Sequence, residues 1–427
     1  MSARQIVGSN LSSASKLFRR PSYYPNRPKH SSVMVSDSYW DEDEQEDRLY
    51  YARQREKRYH SPVPLWTQLK RRLRRPRTAI ILIGFILLTW WWITSGKRAT
   101  RRRWSRFAYS QYTTDTQSLC NSLMVFESLD RLESQAGRVL LYPRVWLEQS
   151  DDHINWRLLH KAEKEYKVQL IPITLLEAID EGDKPGTLDD PSSDWDLSIT
   201  KLHVFGLTQY DRVLHLDSDI TLLQHLDEVF TLPRAPIAMP HAYWAGSTPS
   251  LWPYTSLLML VEPDHRELPA LMEILRQWQQ KPDYSRSKKY DMDLLNHRFS
   301  LSTMKLPHRP YAMLSAEFRA RDHSAYLEGG RDTKEDLTTW DPDMAFKEAK
   351  LVHFSDWPLP KPWIMWPNDG LMEMQPDCGG NFATRCRERE IWKELYEDFR
   401  LRRRRICKIS PVPAPNWKEW KSSTGAS

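Results

Sequence analysis

The chain has 427 residues, 40% of them hydrophobic, and a formal net charge of +6 at pH 7. That is apolar material enough for one large core or two domains. Arg and Lys concentrate around residues 70 to 106 and again at 402 to 408. The first cluster brackets an apolar run and no recognition motif accompanies either, so membrane phosphates are the expected partner and nucleic acid is not.

Residues 1–77 read as a cytosolic tail. Up to about residue 60 it is rich in Ser, Arg, Asp, Glu, Tyr and Pro without sustained periodicity, the composition of a disordered segment. Residues 78–95 hold the long uncharged apolar run, from Ala79 to Leu88 and then Trp90, Trp91 and Trp92. A helix there spans roughly 25 Å, sufficient for a thin bilayer. Basic clusters flank it at Lys70–Arg77 and Lys97–Arg106. They nearly balance, so charge alone leaves the orientation open. A short tail, one span and a large C-terminal part fit a signal anchor with that part in a lumen. Residues 96–106 are a short basic stem.

The folded domain is expected over 107–408, with a tail at 409–427. Phe107–Tyr112 reads as a first strand, and Thr113 to Asp115 as a turn and helix cap. Leu119, Leu123, Phe126 and Leu129 recur at helical spacing. Arg138–Tyr142 is a second strand, Trp156–Lys167 an amphipathic helix and Val168–Ile173 a third strand. Asp180–Asp194 is a Gly-, Pro- and Asp-rich loop, and Ser198–Leu207 looks helical. Val213–Leu216 is then a short, buried central strand. This alternation predicts an α/β domain with a mostly parallel, doubly wound sheet. Further on, Leu222, Leu223, Leu226, Val229 and Phe230 have helix-like spacing. Ala238–Pro240 and Ser256–Val261 suggest strands, and Glu267–Gln279 a helix. Tyr290–Asn296 opens another helix, Leu351–Phe354 is a last strand, and Glu388–Arg402 a helix burying Ile391, Leu395, Tyr396 and Phe399.

The central strand ends in two carboxylates, Asp217 and Asp219. Desolvating carboxylates is costly, so such an end calls for a cation or water. In an open α/β sheet the crevice beyond the strand ends holds the ligand. Two hard oxygen donors suit Mg²⁺ or Mn²⁺, with phosphates completing the shell. A helix-capping Asp-Ser turn is the plain alternative for an isolated Asp-x-Asp. The four cysteines, Cys120, Cys378, Cys386 and Cys407, match no zinc pattern. One disulfide is expected, with Cys386 and Cys407 as rival partners for Cys378, and Cys120 as a core thiol.

Four ordered segments resemble one family: Ile199-Thr200-Lys201-Leu202-His203-Val204-Phe205, the strand ending in Asp217-Ser218-Asp219, Asp291 to Asn296, and Val352-His353-Phe354 followed by Lys361-Pro362-Trp363. Together they are similar to the glycogenin-like family 8 glycosyltransferases, and within these to the fungal Golgi N-acetylglucosaminyltransferases. The resemblance covers roughly residues 105 to 365. It implies a GT-A (Rossmann-like) fold, a UDP-sugar donor, a Mn²⁺ or Mg²⁺ ion and transfer with retention of configuration. Asp217, Asp219 and His353 would hold the metal, with Asp217 also near the ribose. Lys201 and Lys361 would meet the donor or its diphosphate, and Asp291 would face the sugar. Gln111, Tyr112 and Thr113 would hold the uracil. The implied reaction carries GlcNAc from UDP-GlcNAc to a mannose-containing, mannan-type glycan in the Golgi lumen. The alternative is a non-catalytic, membrane-anchored nucleotide- or sugar-binding subunit.

The sequence departs from the family at three places. His353 and Lys361 stand further apart than in glycogenin, an Asp-Gln pair reads Asp291-Met292, and an Asn-Ser-Gly reads Tyr254-Thr255-Ser256. His215 shares a strand face with Asp217, but the family has an apolar residue there, so it is read as packing. Asp291 also reads as a helix N-cap, with Asp293 a weaker candidate at the same turn. Lys201 also reads as a solvated helix residue.

Overall fold

The computed structural model describes residues 80, 83–91, 104–150, 152–178, 196–281, 289–328, 339–356, 359–378, 386–413 and 416–424. The tail at 1–77, most of the stem and the loop 180–194 therefore lie outside the described residues. Residues 83–91 are helical, with Phe85, Ile86, Leu88 and Trp90 exposed. Among the described residues no helix is long and apolar enough to cross a membrane. Much of the expected span, including 81–82 and 92–95, lies outside them.

The domain opens with β1 (Phe107–Tyr112), α1 (Thr116–Arg131), β2 (Gly137–Pro143), α2 (Ile154–Tyr166) and β3 (Gln169–Ile173). The α1 start is fixed by a reciprocal cap, in which the Ser118 amide donates to Asp115 and the Asp115 amide donates to the Ser118 hydroxyl. A short 3₁₀ helix, Ser198–Gly206, then leads to β4 (Arg212–Leu216), which is buried throughout. Such continuous burial belongs to a central strand covered on both faces. It is followed by β5 (Ile220–Leu222), β6 (Ile237–Pro240), β7 (Leu258–Val261), α3 (Glu267–Gln279), α4 (Asp291–Phe299) and β8 (Thr303–Leu306). The C-terminal part supplies β9 (Met313–Leu314), β10 (Leu351–His353), β11 (Ile364–Met365), α5 (Arg387–Cys407) and β12 (Val412–Pro413).

The main sheet has seven strands in the order β3-β2-β1-β4-β7-β6-β8. Pairing is parallel except on both sides of β7. The sheet is thus mixed and mostly parallel, as expected. Chain order reverses between β1 and β4, so the crevice at their carboxyl ends is the topological switch point. One sheet face packs on Leu202, Phe205, Leu271, Leu275 and Leu294, and the other on α1 and α5 through Leu119, Leu123, Phe126, Trp392 and Phe399. A smaller sheet, β5-β10-β9, continues from the end of β4.

Three expectations are corrected. Leu222 to Phe230 is no continuous helix but the end of β5 and a 3₁₀ turn, Asp227–Thr231. Its apolar spacing serves a strand that pairs with β10 and a turn lying over the core. Cys120 is not a free thiol, because it is bonded to Cys407 and ties the start of α1 to the end of α5. Two disulfides form rather than one: Cys378 pairs with Cys386, its nearer rival. The Cys120–Cys407 pair is 287 positions apart, beyond any spacing argument.

Candidate active site at the rim of the sheet

Asp217 follows β4 directly, and its amide donates to the Leu257 carbonyl at the start of β7 (2.8 Å). Its side chain meets Lys201, which reaches up from the 3₁₀ helix beneath the sheet. Lys201 Nζ lies 2.8 Å from Asp217 Oδ1 and 2.9 Å from Asp291 Oδ2. Ser256 completes the cluster, donating to Asp291 Oδ2 at 2.5 Å. Burial works against the Lys201 charge, but Asp217 and Asp291 outweigh it and hold the ammonium well above its ordinary pKa. Burial pushes the Asp217 carboxyl up against the pull of Lys201. At Asp291 burial is overcome, chiefly by Lys201, and the pKa falls.

Asp219 belongs to the smaller sheet. In the antiparallel register His353 stands opposite Ile220, and the Phe354 amide donates to the Asp219 carbonyl (2.9 Å). The imidazole is thereby set beside the carboxylate, with His353 Nε2 3.1 Å from Asp219 Oδ1. Lys361 Nζ takes the other oxygen, Oδ2, at 2.6 Å, and also donates to the Phe354 carbonyl at 2.8 Å. Burial would raise the Asp219 pKa, but His353 and Lys361 hold it well below the usual carboxylate range.

One ligand atom from each of Asp217, Asp219 and His353 lies within 4.8 Å of the others. An octahedral ion at about 2.1 Å from its ligands sets them roughly 3 to 4 Å apart, so small side-chain adjustments suffice. Two carboxylates and an imidazole also form a donor set that suits a divalent ion of the Mn²⁺ type. Residues just after β4, just before β5 and at the end of β10, separated by up to 136 positions in the chain, thus form a group able to hold such an ion. Both lysines sit on the carboxylates of the same group.

The other expected residues divide. Gln111 and Thr113 are buried: Gln111 donates to the Leu216 carbonyl (2.6 Å), and the Thr113 hydroxyl pairs with Ser118 (2.8 Å). Gln111 ties β1 to the end of β4 and Thr113 ties it to the start of α1, which leaves Tyr112 as the partly exposed member of the three. His215 is buried, its Nδ1 2.9 Å from the Ser110 hydroxyl. Burial, with Lys201 nearby, pushes its pKa down to about 3, so it is a neutral packing group, as read. Asp291 is no N-cap. Tyr290 holds that position, and Asp293 caps by accepting from the Tyr290 amide (3.1 Å), which leaves Asp291 free for Lys201. Lys201 is buried, not solvated. Sequence reasoning missed Ser256 as a member of the site. The signal was there, since Ser256 stands where the family pattern changes, but its link to Asp291 requires the fold.

No family model matches the chain. Over 355 residues it is 46% identical to glucose N-acetyltransferase 1 of Aspergillus fumigatus, covering 79% of this chain and 88% of that protein. This chain belongs to the glucose N-acetyltransferase 1 family. The protein of that name in Gibberella zeae is 42% identical over 322 residues, 74% of this chain and 66% of that one. The Saccharomyces cerevisiae protein is 23% identical over 418 residues, 72% and 82% respectively. Among solved structures, galactosyltransferase LgtC in complex with donor and acceptor sugar analogs aligns over 68% of this chain and 95% of its own, at 13% identity and a TM-score of 0.42. Membership in the glucose N-acetyltransferase 1 family bears out the resemblance to fungal glycosyltransferases drawn from the motifs, and makes the chain a glycosyltransferase.

Proposed function

We propose that the protein transfers GlcNAc from UDP-GlcNAc to a mannose-containing glycan, with retention of configuration and with Mn²⁺ or Mg²⁺ held by Asp217, Asp219 and His353. The observation that carries this reading is the convergence of those three side chains, with Lys201 and Lys361, at the switch point of the sheet. When bound, the ion acts as a Lewis acid toward the donor diphosphate. Lys361 offers a fixed positive charge beside the phosphates as negative charge grows there. Lys201 holds Asp217 and Asp291 in place, so Asp291 presents one carboxylate edge toward the sugar. Tyr112, at the end of β1, borders the base. In the transfer the bond from the anomeric carbon to the β-phosphate oxygen breaks, and its electron pair stays on that oxygen. The acceptor hydroxyl bonds to the anomeric carbon and its proton passes to the phosphate, so no protein nucleophile is needed.

The domain would work in the Golgi lumen, anchored by residues 78–95 as a type II membrane protein. Two disulfides suit an oxidising compartment, and the apolar run between basic clusters suits a span. The test of function is donor hydrolysis and transfer by the detergent-purified full chain, with each UDP-sugar, with and without Mn²⁺. Asp219→Ala should lower turnover by at least about 10²-fold while the folded circular dichroism spectrum persists. Undiminished turnover refutes the site. UDP binding without any turnover in the unaltered chain would make it a binding subunit.

A further inference from the structure

His353 and Lys361 both reach Asp219, yet eight positions separate them, and the chain between must leave β10 and return. A loop of that length does not by itself hold a lysine at 2.6 Å from a carboxylate oxygen. The structure shows what holds it. Asp356, buried three positions after His353, takes Arg319 Nη1 on Oδ1 at 2.6 Å and Trp392 Nε1 on Oδ2 at 3.3 Å. Both carboxylate oxygens are thus engaged, one by a charge and one by an indole. The Asp356 carbonyl also accepts from the Leu359 amide at 2.7 Å, two positions before Lys361.

The grip continues on both sides. Arg319 is itself fixed, its Nε donating to the Met374 carbonyl at 2.6 Å. Beyond Lys361, Arg400 on α5 donates to the Pro362 carbonyl at 3.0 Å, and Trp363 packs on Phe399 at 6.1 Å between ring centroids. Trp392, Phe399 and Arg400 all come from α5, which follows the last of the four motif segments. The C-terminus of α5 is in turn bonded to α1 through Cys120–Cys407.

We infer that Asp356 is a positioning residue for donor binding: clasped by Arg319 and by Trp392 of the C-terminal helix, it anchors the chain that delivers Lys361 to Asp219 and to the diphosphate. The inference rests on the reading of the site as a UDP-sugar site. It shows how Lys361 can reach Asp219 despite the longer spacing from His353, because Asp356 is anchored between them. It also gives α5 a part in the chemistry without any contact to substrate.

The test is a double-mutant cycle read by UDP affinity, measured by calorimetry on the detergent-purified full chain with Mn²⁺. Asp356→Asn keeps the shape and removes the charge that holds Arg319. It should weaken UDP binding about ten-fold. In a Lys361→Ala background the same change should alter affinity by less than about two-fold, because the residue it positions is gone. Equal, additive losses in both backgrounds, or no loss in either, overturn the inference. A core variant away from the loop, Leu271→Ala, supplies the effect of lowered stability alone; if it weakens UDP binding as much as Asp356→Asn does, the positioning role is likewise overturned. Should Asp356→Asn not yield folded protein, Arg319→Lys keeps the charge, releases the Met374 carbonyl and carries the same cycle. An unaltered chain that binds no UDP would remove the functional reading, and this inference with it. Binding that persists unchanged in Asp356→Asn removes this inference alone.

Discussion

Asp217 and Asp219 stand two residues apart but belong to regions built in different ways. Asp217 closes a strand of the main sheet and is held by Lys201, 16 positions earlier. Its surroundings are deep: Lys201 and Asp291 are both buried. Asp219 opens the smaller sheet and is held by His353 and Lys361, 134 and 142 positions later. Its surroundings are shallower, and Lys361 is about one-third exposed. The difference shows in protonation. Burial lifts the Asp217 carboxyl, while His353 and Lys361 hold Asp219 well down. One carboxylate is therefore fixed by the framework and the other by the C-terminal part of the chain. A metal group assembled from both forms only when the two regions are docked.

The two lysines are the most direct way to break this comparison. Lys201→Met leaves Asp217 and Asp291 buried without their cation, and should cost about 3–5 kcal/mol of stability. Lys361→Met sits nearer solvent and should cost less than about 1 kcal/mol, while UDP binding with Mn²⁺ falls sharply. Urea unfolding of both variants checks the first quantity, and calorimetry the second. Equal stability losses would mean that the two regions are not distinct. The disulfides come next. Cys120–Cys407 joins the two regions across 287 positions, and Cys378–Cys386 closes a separation of 8. Replacing the first pair by Ser should cost about 2–4 kcal/mol and the second less, since the stabilisation grows with the loop closed. Thermal melts under non-reducing conditions would compare them.

The same contrast explains what could be read in the sequence. Most elements in and around the main sheet were legible because each depends on local pattern, whereas the edge strand β8 went unread. Glu267–Gln279 has the helical period of Leu271 and Leu275, and β4 is an unbroken buried run. Asp217, Asp219, Lys201 and Asp291 were legible through motif order. Of the smaller sheet only β10 was, as Leu351–Phe354; β5 and β9 were not. Leu222 pairs with Leu351 across the chain, and nothing in residues 220–230 announces that partner, so helical spacing misled. Cys120 lies among core residues of α1 and reads as one of them, because its partner is at the far end of the fold. The grip on Asp356 by Arg319 and Trp392 is of the same long-range kind.

Acid titration offers a smaller effect that sharpens the account of the deeper region. The folded-state pKa of Asp291 is lowered, with Lys201 outweighing its burial. A carboxylate depressed in this way adds stability above its unfolded pKa, about 3.9, and loses it as the pH falls through the folded value. Melting temperature measured in chelator should therefore drop below about pH 4 in the unaltered chain. Asp291→Asn should start lower at pH 7 and flatten that acid limb. An unchanged limb would mean that Asp291 takes no part in the buried pair.

His215 gives the smallest effect and tests the boundary of the site. It shares the face of β4 with Asp217, and Lys201 is near enough to help push its pKa down to about 3. Its Nδ1 is paired with Ser110, while its Nε2 is buried and has no hydrogen-bond partner among the described residues. His215→Leu removes that unpaired nitrogen and strands the Ser110 hydroxyl. The two changes oppose each other and each is worth about 1–3 kcal/mol, so net stability should move little. Because the imidazole only packs beneath the rim, UDP affinity and the donor KM should also stay within about two-fold of the unaltered chain, a difference of less than one kcal/mol. A larger rise in KM at unchanged stability would place Nε2 among the groups that face the donor, and extend the Asp217 region two residues deeper into the sheet.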